Sequence, residues 1–199
     1  MTSTVEKTQK KDIIIIAVIH DDVPESSRKT IYAEYFYPLV RELESFTERK
    51  INIVFARGAP HSSFEYKSDD ELATLVEWEA IAYTLLDEME KEGLEINDLT
   101  KVILVTKDRL NKETLGAAGL ASQAPPSGKF AIASLQTYAA IGHEVGHLLG
   151  ATHEDSEIQF NGWFAETYVT PTRLSYRSNA YAFSPANRQN IKNYLADKD

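Results

Sequence analysis

The pattern of apolar positions in the first half of the chain alternates between two periods. Residues 13–19 form an unbroken apolar run rich in β-branched side chains, which is typical of a strand buried on both faces. Residues 51–55 and 102–106 predict two further strands. Between these runs, apolar residues recur at helical spacing in 31–46 and 72–89. Strands that alternate with helices predict a mostly parallel sheet with helical crossovers.

Local signals predict where these two helices begin and end. Ser26 or Ser27 is expected to cap the first helix, and Pro38 is expected to kink it. The second helix is expected to open with a capping box at 68–71 and to close near Gly93.

The middle of the chain has short segments of small residues. Residues 115–123 and 129–134 flank a turn signal at 125–128, and together they predict a hairpin-like edge of the sheet. A helix is then expected from Gln136 to about Leu149.

The C-terminal part of the chain has no clear period before its last helix. Ser184 and Pro185 predict the N-cap and the first residue of a terminal helix that ends near Leu195. The expected fold class is α/β, with a twisted mixed sheet, crossover helices and a small irregular C-terminal lobe.

Composition and charge exclude several classes of protein. The 199 residues include 30 acidic and 21 basic side chains without a Lys/Arg cluster, so a nucleic-acid partner is not expected. The absence of cysteine excludes disulfides, thiolate zinc sites and cysteine nucleophiles. Residues 1–11 predict a disordered lead without the features of a secretory signal, and the apolar run 13–19 is too short to span a membrane. Residues 12–199 are expected to form one domain.

The most informative segment is HEVGHLLGATH, residues 143–153. On a helix, His143 and His147 are separated by about one turn and lie on the same face, so both imidazoles can reach one metal ion. Gly150 is placed where a left-handed residue ends a helix, and the turn can bring His153 back as a third ligand.

Three neutral imidazoles leave one position of a tetrahedral ion open, which is typical of a catalytic zinc site. Glu144 is rotated by about 100° from His143 on the helix and stands beside the expected ion. It can take a proton from a zinc-activated water and deliver it to the leaving amine, so we expect it to be the general base. The flanking apolar residues are interpreted as the core face of the helix: Ala139, Ala140, Ile141, Val145, Leu148 and Leu149.

This extended motif resembles the signature of the metzincin clan of zinc endopeptidases. The order of residues 114–121, 129–134 and the motif helix is similar to the edge strand, inner strand and active-site helix of adamalysin-like (reprolysin-like) members. The segments 154–155 and 183–187 add to the resemblance, which covers roughly residues 12–197.

The resemblance implies a zincin-like fold with an upper subdomain, 12–150, and a lower subdomain, 151–199. It implies one catalytic Zn²⁺, a protein or peptide substrate and a secreted location; we also expect the protein to be a monomer. It also implies that an edge strand near Ala118 and Gly119 aligns an extended substrate through backbone hydrogen bonds.

Metzincins carry a methionine in a tight turn below the zinc, and here the sequence departs from the family. Neither Met1 nor Met89 can fill that place, so Leu174 is expected to stand in for the methionine. Tyr176 is either a transition-state or fifth metal ligand, as in astacin-like and serralysin-like members, or an ordinary loop tyrosine.

The C-terminal lobe offers two further candidate parts of the site. Glu166 is either a partner of a ligand histidine or a solvated loop carboxylate. By resemblance, residues 170–172 shape the pocket for the residue after the scissile bond.

The expected function is zinc-dependent hydrolysis of internal peptide bonds. One alternative is a protease toxin or effector with a narrow target, which would ignore a general substrate such as casein. Another is a non-catalytic, zinc-containing protein-binding domain. Glu144 argues against the latter, because a purely structural zinc site has no use for that carboxylate.

Overall fold

The computed structural model describes residues 10–119 and 128–198, and its framework is a five-stranded sheet. The strand order is β2-β1-β3-β5-β4; β4 pairs antiparallel with β5 and the other pairs are parallel. This arrangement confirms the predicted α/β fold with a mixed sheet. The strands are β1 (Ile13–Ile19), β2 (Ile51–Ala56), β3 (Thr100–Thr106), β4 (Gly116–Ala118) and β5 (Phe130–Ser134).

Three predictions fall wholly or partly outside the described residues. These are most of the disordered lead at 1–11, the end of the segment 115–123, and most of the turn at 125–128.

The inner strand β1 is buried on both faces, as its apolar run predicts. Ile13, Ile15, Ala17 and Ile19 belong to one core cluster, and the residues between them belong to a second cluster on the other face. Helices therefore have to cover both faces of the sheet.

The first helical segment is interrupted before Pro38. Helix α1 (Glu25–Ile31) continues through a π-helical turn (Tyr32–Phe36) into α2 (Tyr37–Thr47). Proline has no N–H to donate, and the wider turn keeps the ladder going with a bond from the Tyr37 N–H to the Tyr32 carbonyl.

The predicted caps of both crossover helices were misplaced. The first helix begins after Pro24, whose fixed φ of −67° suits a helix start, so Ser26 and Ser27 lie inside the helix. Helix α3 (Glu71–Lys91) is capped by Asp70, whose side chain accepts from the Ala73 N–H, rather than by a box at 68–71. The predicted closure near Gly93 is confirmed by a φ of +97° at that glycine.

The C-terminal part contains more regular structure than its sequence indicates. Instead of an irregular chain, a small three-stranded sheet forms from β6 (Ile158–Phe160), β7 (Phe164–Glu166) and β8 (Ser178–Asn179). Its strands are too short to show a period of two. Helix α5 (Pro185–Leu195) ends the fold, and Ser184 caps it as predicted by accepting from the Asn187 N–H.

A buried carboxylate joins this C-terminal part to the main sheet layer. Glu42 of α2 accepts two hydrogen bonds from the Arg188 guanidinium and one from the Phe183 N–H.

In the described parts of the chain, no helix is long and apolar enough to cross a membrane.

Candidate metal centre

The motif helix is shorter at its start than predicted. Helix α4 spans Ala140–Leu148, and the residues between β5 and α4 form turns. The Thr137 carbonyl and hydroxyl accept from the N–H groups of Ala140 and Ala139, so the chain turns before it becomes helical.

The end of α4 brings the third histidine back to the helix. Gly150 has a φ of +93°, and its N–H donates to the His147 carbonyl. The Ala151 N–H donates to the Gly146 carbonyl, which completes a Schellman motif. The predicted left-handed turn is therefore present, and it reverses the chain toward His153.

The three histidines meet at their Nε2 atoms. The Nε2 of His143 lies 3.0 Å from that of His153 and 3.1 Å from that of His147. The Nε2 atoms of His147 and His153 are 3.1 Å apart. Among the described residues, they form the one group of three side chains placed to hold a metal ion. His147 is buried, His143 is half-buried and His153 is exposed, so one side of the group faces solvent.

Backbone carbonyls fix the tautomers of two of these rings. The Nδ1 of His143 lies 2.9 Å from the Tyr168 carbonyl, and the Nδ1 of His147 lies 2.9 Å from the Ala151 carbonyl. A carbonyl only accepts, so each Nδ1 carries the proton and each Nε2 presents a lone pair. Lone pairs converging at this distance repel one another unless a cation lies between them.

The charge state of the rings also suits the binding of a cation. Burial, and then the neighbouring His147 and His153, lower the pKa of His143 to about 3. Burial also lowers the pKa of His147. Both rings are neutral at pH 7, which is the form that binds a metal ion.

The spacing of the nitrogens suits zinc. Tetrahedral Zn²⁺ with bonds of about 2.0–2.1 Å separates neighbouring ligand nitrogens by about 3.3 Å. The observed separations of 3.0–3.1 Å are close to that value. Three nitrogen donors, in rings of which two are bound by backbone carbonyls, make a donor set that fits a zinc ion.

Glu144 lies beside the histidines without a hydrogen-bonding partner among the described residues. It is 6% exposed and lines the cavities next to the histidines. Burial, and then the charge of Glu71, raise its pKa to about 8. A carboxyl group with a pKa near neutrality is suited to exchange protons with a substrate.

The edge strand approaches this carboxylate through a glycine. A Cβ atom on Gly116 would lie 2.6 Å from Glu144 Oε1 and 2.6 Å from the Ile132 carbonyl oxygen, so a larger residue would displace one of them. Glycine at this position lets β4 form the upper wall of the cleft.

The two predicted edge-strand residues differ in their backbone contacts. The Gly119 N–H donates to the Phe130 carbonyl, and the Ser134 N–H donates to the Leu115 carbonyl. Residues 115, 117 and 119 therefore face β5, and the backbone groups of Gly116 and Ala118 point to the free edge. Ala118 also borders the cleft, whereas the N–H of Gly119 is already used.

The glycine face of α4 packs against Tyr168, Val169 and Phe183. A Cβ atom on Gly142 would lie 2.3 Å from the Tyr168 ring, and one on Gly146 would lie 3.0 Å from Val169. Leu174 is half-buried in a loop and belongs to neither described core cluster. The place of Leu174 below the histidines therefore stays a prediction, and the Tyr168 carbonyl also holds His143.

The two other candidate site residues of the C-terminal lobe are Tyr176, in the loop that contains Leu174, and Glu166, just before that loop. Tyr176 is 60% exposed, its carbonyl accepts from the Trp163 indole, and it is absent from the walls of the cavities described below. Glu166 is 1% exposed rather than solvated, and its carboxylate accepts from the Leu174 N–H. It also pairs with Arg173 and Arg177, so it anchors the loop.

Two cavities flank the histidines. One of about 300 Å³ lies between the loop before β4, the start of α4 and the segment 170–173. The other, of about 430 Å³, lies along β4 and reaches residues 152–154. Both share one set of wall residues: Glu71, Gly116, His143, Glu144 and His153.

Sequence reasoning missed Glu71, the first residue of α3. Its Oε1 accepts from the Thr114 hydroxyl and from the Asn111 amide, which is 3.1 Å away. The sequence carries a signal only for the start of the helix, and the proximity of this start to the histidines depends on the tertiary fold.

Comparisons with solved structures agree with the fold. A metalloproteinase-II crystal structure from Bacteroides fragilis matches with a TM-score of 0.57 and 16% identity, over 96% of this chain and 55% of that one. A chain in a chaperone–substrate complex matches with a TM-score of 0.50 and 13% identity, over 96% and 35%. This chain thus spans about half, or less, of the length of these structures.

The comparisons at the level of sequence give no match. No protein-family model and no curated protein matches the chain. The fold is therefore that of a metalloproteinase structure at low identity, and a group of three histidines able to bind a metal ion lies in its cleft.

Proposed function

We propose that this protein is a metzincin-like zinc endopeptidase in which His143, His147 and His153 hold one Zn²⁺ ion. The observation that carries the proposal is the convergence of three Nε2 atoms within 3.0–3.1 Å, two of them in rings whose Nδ1 protons are held by backbone carbonyls. The likeness of the fold to a metalloproteinase supports it.

Each residue of the cleft has a task in this reaction. Bound zinc would supply Lewis-acid activation of a water molecule and of the scissile carbonyl. Glu144 takes a proton from the attacking water and passes it to the leaving amine, so that the carbonyl carbon gains a hydroxyl group and the amine nitrogen gains a proton.

The edge of β4 is the element that aligns the substrate in this proposal. The free backbone groups of Gly116 and Ala118 offer hydrogen bonds to an extended peptide lying antiparallel to the strand. Such a peptide would place its scissile bond below Gly116, next to Glu144, since a Cβ on that glycine would lie 2.6 Å from the carboxylate.

Replacement of Glu144 with glutamine tests the reaction. Glu144→Gln preserves the shape of the side chain and all three histidines, so the variant is expected to bind zinc like the wild type. Its rate of peptide hydrolysis should fall by about 10²–10⁴-fold, because glutamine cannot accept the proton. Cleavage of a mixed peptide library, followed by mass spectrometry with and without chelator, measures the rate.

The same experiment distinguishes the alternatives. Undiminished cleavage by Glu144→Gln would contradict the assigned base, and absence of zinc-dependent cleavage by the wild type would contradict the proposed function. Cleavage of library peptides but not of casein would favour an effector with a narrow target over an enzyme of broad specificity.

A further inference from the structure

Glu71 holds a fixed carboxylate in the wall that separates the two cavities. It is half-buried, and the hydrogen bonds from Thr114 and Asn111 both go to Oε1. No described side chain donates to Oε2, and no described lysine or arginine pairs with this carboxylate. The orientation of the group is therefore set by the protein, while one oxygen stays available.

Glu71 lies at the end of α3 that suits an acidic side chain. Glu71 is the first residue of the helix, directly after the Asp70 N-cap. The N-terminus of a helix carries a partial positive charge, which stabilises a carboxylate in the first turn.

The walls of the cleft have an excess of negative groups. Besides Glu71 and the unpartnered Glu144, they include Glu113 on one side and Glu154 on the other. The only basic side chain among the described wall residues, apart from the histidines, is Arg173, and its guanidinium pairs with Glu166 at 3.5 Å. No described wall residue offers a free cation to Glu71.

We propose that Glu71 selects substrates that carry a positively charged group beside the scissile bond. The proposal rests on the proposed peptidase activity and adds a specificity-determining residue to it. The shared chemistry is an ammonium or guanidinium group, which either the amino terminus of a peptide or a Lys or Arg side chain supplies. A substrate chain lying along β4 passes the wall shared by both cavities, so a cation flanking the scissile bond comes within reach of the open Oε2.

A peptide panel tests the selection with the zinc-loaded protein. Pairs of quenched-fluorescence peptides differ only at the residues flanking the cleaved bond, with lysine in one member and glutamine in the other. A second set compares free with acetylated amino termini. The wild type is expected to hydrolyse cationic peptides with a kcat/KM at least tenfold above that of their neutral partners.

Glu71→Gln is the matched variant, because the glutamine oxygen can still accept from Thr114 and Asn111. The cationic-to-neutral ratio of kcat/KM is expected to fall to within threefold in this variant. Glu77→Gln, an exposed position on the same helix, makes the same change of charge away from the cleft and should keep the wild-type ratio. Zinc content and urea unfolding show whether each variant is folded.

Each outcome bears on one proposal. Loss of the preference on acetylation identifies the amino terminus as the cation and would place cleavage at the first peptide bond rather than at internal bonds. Dependence on lysine identifies a side chain and agrees with internal cleavage; both outcomes support the role of Glu71. Equal rates for cationic and neutral peptides in the wild type, or a preference that survives Glu71→Gln, overturn it while the peptidase proposal stands. Absence of zinc-dependent hydrolysis of the entire panel overturns the peptidase proposal itself.

Discussion

Two segments meet at the candidate metal centre and are built in opposite ways. The segment His143–His153 places its three imidazoles by local geometry, through one helical turn and a glycine-ended reversal. The loop 167–177 is held by buried contacts that follow no short sequence motif: Glu166, at its start, accepts from the Leu174 N–H and pairs with two arginines of the loop. The first segment can be read from the sequence, whereas the second becomes visible only in the folded chain.

This difference predicts different consequences of mutation. A change in the motif segment should remove metal and leave the fold intact, because its exposed members contribute little to packing. A change in the loop anchor should lower stability and leave the histidine triangle in place.

The largest effect is expected on zinc affinity, in the variant His153→Ala. This histidine is exposed, so its removal should change the free energy of unfolding of the metal-free protein by less than about 0.5 kcal/mol. Zinc affinity should fall by more than about a hundredfold, because only two of the three protein ligands remain. Competition with a chromogenic chelator measures the affinity, and retention of wild-type affinity would show that this ring is not a ligand.

The next largest effect is expected on the free energy of unfolding, in the variant Glu166→Ala. The substitution leaves Arg173 and Arg177 without their buried partner and removes the acceptor of the Leu174 N–H. Loss of one member of a buried ion pair costs about 3 kcal/mol, so urea unfolding should show a decrease of that order. Glu157→Ala, an exposed carboxylate near the same sheet, is the control and should change stability by less than about 0.5 kcal/mol. A decrease below about 1 kcal/mol for Glu166→Ala would contradict its role as the anchor.

A smaller effect concerns the pH dependence of the metal-free protein. Burial raises the pKa of Glu144 from 4.5 to about 8, so this group contributes stability that is present at low pH and is lost as the pH rises through about 8. Glu144→Gln removes that loss. In the presence of a chelator, the variant should be as stable as the wild type at pH 4 and more stable at pH 8, with the difference developing between about pH 4.5 and pH 8. An equal gain at both pH values would contradict the link to ionisation.

The smallest effect is expected for Tyr176→Phe. The ring is exposed and lies outside the cavity walls, and the contact from Trp163 is to its backbone carbonyl. Removal of the hydroxyl should change kcat/KM by less than about threefold, since loss of one transition-state donor would cost about 10²–10³-fold. A hundredfold loss in the peptide assay would instead show that this tyrosine reaches the transition state.

The sequence predicted the parts of the molecule that depend on local rules. The buried strand at 13–19, the left-handed turn at Gly150 and the cap at Ser184 were correct, since each depends on a few neighbouring residues. The core face of α4 was also correct, because periodicity reports which side of a helix is buried.

The features that were missed depend on contacts between distant residues. Nothing near Tyr168 indicates that its carbonyl holds His143, 25 residues away in the chain. Glu71 precedes the motif by more than 70 residues, and only the packing of α3 on the sheet brings it to the cleft. The strands β6 to β8 were missed because two or three residues are too few to show a pattern.

The central claim is that the Nε2 atoms of His143, His147 and His153 share one zinc ion. A crystal structure of the zinc-loaded protein, with anomalous data collected at the zinc edge, tests it most directly. The account predicts a single peak about 2.0–2.1 Å from all three nitrogens, with the carbonyls of Tyr168 and Ala151 still bound to Nδ1. A zinc peak elsewhere, or His153 turned away from the other two rings, would contradict it.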